Sequence, residues 1–88
     1  MSNLSSLYFV NYTPDVIHIR VTFQGQTTHR FFDLNPNVKL NWDRAGWEVA
    51  YIIRSDNSLQ EWAVNPGVTY NVYPNYAIVE SQALCPGT

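Results

Sequence analysis

The stretch Val16-Ile17-His18-Ile19-Arg20-Val21-Thr22-Phe23-Gln24 decides how this chain is read. Ile17, Ile19, Val21 and Phe23 fall on one side, and His18, Arg20, Thr22 and Gln24 fall on the other. A repeat of two sends alternate side chains to opposite faces of an extended backbone, so the segment is predicted to be a half-buried strand. Gly25 follows and tolerates positive φ, which predicts a hairpin from 16–24 into 27–34.

The same rhythm continues outward from this strand. Val38, Leu40 and Trp42 alternate with Lys39 and Asn41, and Trp47, Val49, Tyr51 and Ile53 share a predicted inward face. Gln60, Trp62 and Val64 alternate with Glu61 and Ala63, while Val68, Tyr70 and Val72 alternate with Thr69, Asn71 and an outward Tyr73. Turn chemistry separates these runs at Asn35-Pro36-Asn37, Asp43-Arg44-Ala45-Gly46, Ser55-Asp56-Asn57-Ser58, Asn65-Pro66-Gly67 and Pro74-Asn75. With 7–11 and 76–81 as the outermost segments, the expectation is an all-β chain. It forms a single small antiparallel β-sandwich of about seven or eight short strands over 1–88, with flexible ends at 1–5 and 82–88. An open sandwich and a closed barrel both fit this spacing.

Composition narrows the function. The chain has 88 residues, of which 45% are hydrophobic and 14% charged, against about 25% charged in an average globular chain. That balance excludes disorder, and a net charge of −2 argues against a nucleic-acid partner. No apolar run approaches the length of a membrane span. Met1-Ser2-Asn3-Leu4-Ser5-Ser6 carries no basic stretch and no long apolar segment, so the expected location is the cytoplasm, or outside the cell by a route without a classical signal peptide. Cys85 is the single cysteine, which leaves no intrachain disulfide. The sequons Asn3-Leu4-Ser5 and Asn11-Tyr12-Thr13 read as chance matches.

Two segments resemble known families. Val64-Asn65-Pro66-Gly67-Val68-Thr69-Tyr70-Asn71-Val72 resembles the corner between strands E and F of fibronectin type III and immunoglobulin-like sandwiches. The resemblance implies that the Tyr70 hydroxyl satisfies a backbone carbonyl where the chain crosses between sheets; the other reading is an ordinary core tyrosine. Phe9-Val10-Asn11-Tyr12-Thr13-Pro14, then Phe23-Gln24-Gly25, Leu34-Asn35-Pro36 and Gly46-Trp47, is similar to the von Hippel–Lindau β-domain family. That family reads a hydroxyproline through aromatic, serine and histidine side chains. Arg20 and Phe31 stand at two of those positions here and no histidine follows His29, so the similarity implies the sandwich without the pocket.

The inventory for catalysis is thin. His18 and His29 flank the predicted hairpin near Asp33, without the four-ligand spacing of a structural metal site. Asp15, Asp33, Asp43, Glu48, Asp56, Glu61 and Glu80 are scattered over turns and predicted outward positions, and no glycine-rich phosphate loop is present. The expectation is a protein that is not an enzyme and uses no cofactor and no metal. Nine asparagines and a single lysine, Lys39, imply a polar exterior with little charge, and amides both donate and accept hydrogen bonds. That suits a neutral, hydroxyl-rich ligand. The candidate ligand-binding residues lie in two aromatic turns: Trp42, Asp43 and Arg44, and Tyr73, Asn75 and Tyr76. The first reading is therefore lectin-like recognition of a neutral carbohydrate. The alternatives are a protein-interaction or self-assembly module and an inhibitor or immunity-type protein. Edge strands with few lysines predict a homo-oligomer.

Overall fold

The computed structural model describes residues 4–24, 26 and 30–82. The hairpin glycine Gly25, His29 and Cys85 lie outside the described residues, as does Asn3. Eight strands follow one another: β1 (Ser5–Asn11), β2 (Ile17–Val21), β3 (Phe32–Leu34), β4 (Lys39–Arg44), β5 (Glu48–Ile53), β6 (Leu59–Val64), β7 (Val68–Val72) and β8 (Ile78–Gln82). They form two four-stranded sheets, β4-β1-β7-β8 (sheet I) and β3-β2-β5-β6 (sheet II). Among the described residues there is no helix long and apolar enough to cross a membrane.

The expected all-antiparallel arrangement needs correction. β1 runs parallel to β7, with Tyr8 opposite Thr69 and Asn11 opposite Val72, so sheet I is mixed. Local turns impose antiparallel neighbours such as β5–β6 and β7–β8. β1 and β7 come from opposite halves of the chain, and no turn between them dictates direction.

The two sheets share one core. Sheet I contributes Leu7, Phe9, Trp42, Val68, Tyr70 and Val72, and sheet II contributes Ile17, Ile19, Val21, Leu34, Ala50, Ile52 and Val64. Phe9 organises the aromatic part: it stacks on Tyr70 at 5.2 Å and meets Trp42 edge-on at 5.7 Å. The chain crosses between sheets at 65–67, where Gly67 adopts φ 86° and its N–H donates to the Ser6 carbonyl. The Tyr70 hydroxyl accepts from the Asn65 N–H at 2.8 Å. The phenol thus takes a backbone donor, where the fibronectin-like resemblance implies a carbonyl. Burial raises the Tyr70 pKa, partly offset by that bond.

β5 inverts the predicted faces. Glu48, Ala50 and Ile52 point inward, whereas Val49, Tyr51 and Ile53 lie on the outer face and the preceding Trp47 is 69% exposed. Glu48, expected outside, is buried because its partners are inside: one carboxylate oxygen accepts from Thr22 Oγ1 at 2.6 Å and the other from the Gln24 N–H at 2.6 Å.

Buried polar side chains pin the ends of the sheets. Asn11 is fully buried, and its Nδ2 donates to the carbonyls of Asp15 at 2.7 Å and Leu34 at 2.8 Å. Its Oδ1 accepts from the Thr13 N–H and hydroxyl, so the amide has no capacity left for a glycan. At the Glu48 end of β5, Arg44 of sheet I donates to the Thr22 and Val21 carbonyls of the opposite sheet, at 2.7 and 3.1 Å. Beyond the other end, Arg54 donates to the Tyr73 carbonyl at 2.7 Å and to Gln60 Oε1 at 2.7 Å. Burial lowers the pKa of both arginines, against the pull of Glu48 and Asp43 on Arg44 and of Tyr76 and Asp56 on Arg54. Every lysine and arginine of the chain lies over an aromatic ring: Arg20 over Phe31 and Tyr51, Arg30 over Phe32, Lys39 over Tyr8, Arg44 over Phe23, and Arg54 over Tyr76.

Candidate functional site

Three loops meet at the Arg54 end and enclose an open depression of about 260 Å³, lined by Thr13, Pro14 and Asp15, by Arg54, Ser55 and Asp56, and by Pro74, Asn75 and Tyr76, with Ile17 at its base. The first loop is held from below by the Asn11 amide. The second is a polar turn in which Asn57 takes φ 67° and the Asp56 carboxylate accepts from the Ser58 N–H at 3.0 Å. The third links β7 to β8, closed by the Tyr73 N–H on the Ala77 carbonyl at 2.8 Å.

The third loop is unusual in its backbone. Asn75 and Tyr76 both have φ 65°. Asparagine tolerates the left-handed region, whereas a bulky aromatic residue there is an outlier that needs outside support. Three contacts supply it. Gln60 Nε2 donates to the Tyr76 carbonyl at 2.9 Å, the Tyr76 phenol donates to the Asp56 carboxylate, and Arg54 lies 5.6 Å from the ring centroid. Ser55 Oγ in turn donates to Asp15 Oδ2 at 3.3 Å, which ties the first two loops together.

The electrostatics follow from these contacts. The Ser58 hydroxyl beside it, then the Tyr76 phenol and the Ser58 N–H, hold the Asp56 carboxyl down to about 2. The same bond to Asp56 raises the Tyr76 pKa, keeping the phenol a donor. Arg54 is the one cation among the described residues that line the depression, and its guanidinium is occupied by Gln60 and the Tyr73 carbonyl. The mouth therefore offers a ring face, two carboxylates, an amide and a hydroxyl, with no positive charge aimed outward.

The six residues expected to bind ligand do not form one site. Asn75 and Tyr76 line the depression. Tyr73 stands beside it, exposed and stacked on Tyr12 at 5.1 Å. Trp42, Asp43 and Arg44 lie at the Glu48 end of β5, whose six residues rise about 20 Å. Trp42 is 8% exposed and packed on Phe9, and what it shows to solvent lines a separate small depression with Phe32, Leu40 and Asn41. Asp43 accepts from the Ser6 hydroxyl at 2.5 Å, and Arg44 is spent on backbone carbonyls.

Asp15, Ser55 and Asp56 carry no mark of ligand residues in the sequence. Their turn composition places them in loops, while their convergence depends on strands paired far apart in the chain. His18 Nδ1 lies 2.7 Å from Asp33 Oδ1 across the β2–β3 pair. Among the described residues no group of His, Cys, Asp and Glu is arranged to hold a metal ion. Compared with protein families, curated proteins and solved structures, the chain matches none.

Proposed function

We propose that this chain is a non-enzymatic β-sandwich binding protein that takes a neutral carbohydrate in the depression between the loops at 13–15, 54–56 and 74–76. The observation that carries the reading is the half-exposed Tyr76 ring, set beside the Asp15 and Asp56 carboxylates and Asn75 at the mouth of an open hollow. A ring face packs against the C–H surface of a sugar, while carboxylates and amides take its hydroxyls. At about 260 Å³ the depression falls just below the roughly 300 Å³ at which small-ligand sites begin, and suits a single sugar unit. With Arg54 already engaged, an anionic ligand finds no cation to meet it.

The test is amide chemical-shift titration against a panel of neutral mono- and disaccharides. Saturable shifts confined to Asp15, Asp56, Asn75, Tyr76 and their neighbours are expected with at least one sugar, and Asp56→Asn should weaken that response. An unchanged spectrum across the panel at high millimolar concentration would overturn the reading.

A further inference from the structure

The two sheets differ in what they present to solvent. The outer face of sheet I is largely hydroxyls and amides, with Ser6, Asn41, Asp43 and Asn71 bonded to one another or to neighbouring strands beside Tyr8 and the exposed Val79. The outer face of sheet II is apolar along its centre. Val49, Tyr51 and Ile53 follow one another up β5, the exposed Trp47 precedes them, and Ala63 and Leu59 stand opposite Val49 and Ile53 on β6. Val49, Tyr51 and Ile53 are half-buried and the flanking Trp47 and Leu59 are exposed, and apolar surface left open on a sheet face marks an interaction site.

Charge placement identifies the occupant. Arg20 on β2 lies opposite Tyr51, and Tyr51 lies opposite Glu61 on β6, so one row reads Arg20-Tyr51-Glu61 across the sheet. Among the described residues neither Arg20 nor Glu61 has an ion-pair partner; the Arg20 guanidinium lies over the Phe31 and Tyr51 rings, with its Nε buried there and making no hydrogen bond. A two-fold axis running along β5, between two copies laid face to face, maps the β2 side of one copy onto the β6 side of the other. It leaves height along the strand unchanged. Arg20 then meets the second copy's Glu61, Glu61 meets the second copy's Arg20, and each β5 ridge packs on its twin. We propose that sheet II pairs with sheet II of a second copy of this chain through this self-complementary row.

Four strands about 4.8 Å apart, three of them five to six residues long and β3 only three, give roughly 320 Å² of flat sheet per copy. Stable interfaces cover about 800 Å² per partner, so the dimer is a weak one that forms with rising concentration. Its symmetry is of the isologous kind, in which the same patch serves both copies.

Sedimentation of the full chain up to about 1 mM tests the arrangement. Wild type should show a monomer–dimer equilibrium. Arg20→Glu and Glu61→Arg each place like charges face to face and should weaken association about tenfold or more. An equimolar mixture of these two variants should associate again. In the mixed dimer, position 20 of each copy faces a side chain of opposite charge at position 61 of the other. The double variant, with the two charges exchanged, should associate alone for the same reason. Ala63→Glu is the variant at an exposed position that leaves the fold alone, and it should dissociate the dimer with an unchanged melting temperature. A wild-type chain that stays monomeric throughout, or charge variants that do not rescue one another while remaining folded, would overturn the proposal.

Discussion

The left-handed backbone at Tyr76 can be separated experimentally from the contacts of its side chain. An L residue held in that region costs about 1–2 kcal/mol, which glycine avoids. Glycine gives back about 0.4–1 kcal/mol of this through the greater freedom of its unfolded chain. Tyr76→Ala and Tyr76→Gly both delete the ring over Arg54 and the phenol on Asp56. They differ in whether a Cβ remains at φ 65°. Taking the middle of both ranges, the glycine variant should therefore be more stable than the alanine variant by about 0.8 kcal/mol. At about 4–8 °C per kcal/mol for a domain of this size, it should melt about 3–6 °C higher. Thermal unfolding followed by circular dichroism measures the difference, and both variants should have lost the sugar response equally. If alanine melts at or above glycine, the loop is not held left-handed and the argument from strain at this site is wrong. If the two variants differ in sugar response while both remain folded, the ring is not the ligand contact.

Other consequences are open to simpler checks. Asn11→Ala removes four hydrogen bonds, to the Asp15 and Leu34 carbonyls and from the Thr13 N–H and hydroxyl, which should cost about 2–6 kcal/mol in urea unfolding; a loss under about 1 kcal/mol would contradict the assigned network. Tyr70→Phe removes the acceptor for the Asn65 N–H while keeping the ring on Phe9, and should cost about 1 kcal/mol by the same assay. Asp56 sits at about 2 when folded, against an ordinary 3.8. Between those values the unfolded chain binds the proton first, so its stabilising contribution is whole above pH 3.8 and fades as pH falls through about 2. The stability gap between wild type and Asp56→Asn should therefore shrink on acidification across that window, and a gap that widens there would reverse the assignment.

Alternation reads a strand correctly only when its two faces differ in polarity. β2 and β7 satisfy this: Ile17, Ile19 and Val21, and likewise Val68, Tyr70 and Val72, are buried as their spacing predicts. β5 does not, since Trp47-Glu48-Val49-Ala50-Tyr51-Ile52-Ile53 is apolar on both sides. Its more apolar side is outermost, and the side bearing Glu48 faces in. What fixes that choice, the Thr22 hydroxyl and the Gln24 N–H, lies more than twenty residues away in sequence. The parallel contact of β1 with β7 is hidden for the same reason. At the candidate site, the Tyr73-Pro74-Asn75-Tyr76 turn announces itself by composition, while the opposing wall at 13–15 and 54–56 is assembled by tertiary pairing.

The parking of all five basic side chains on aromatic rings has a thermodynamic consequence for association. Long flexible cations ordinarily surrender about 0.5–1.5 kcal/mol of rotamer freedom apiece when a complex immobilises them. Here much of that freedom is already gone in the isolated chain, so complexes that cover these groups should form with an unusually small entropic penalty.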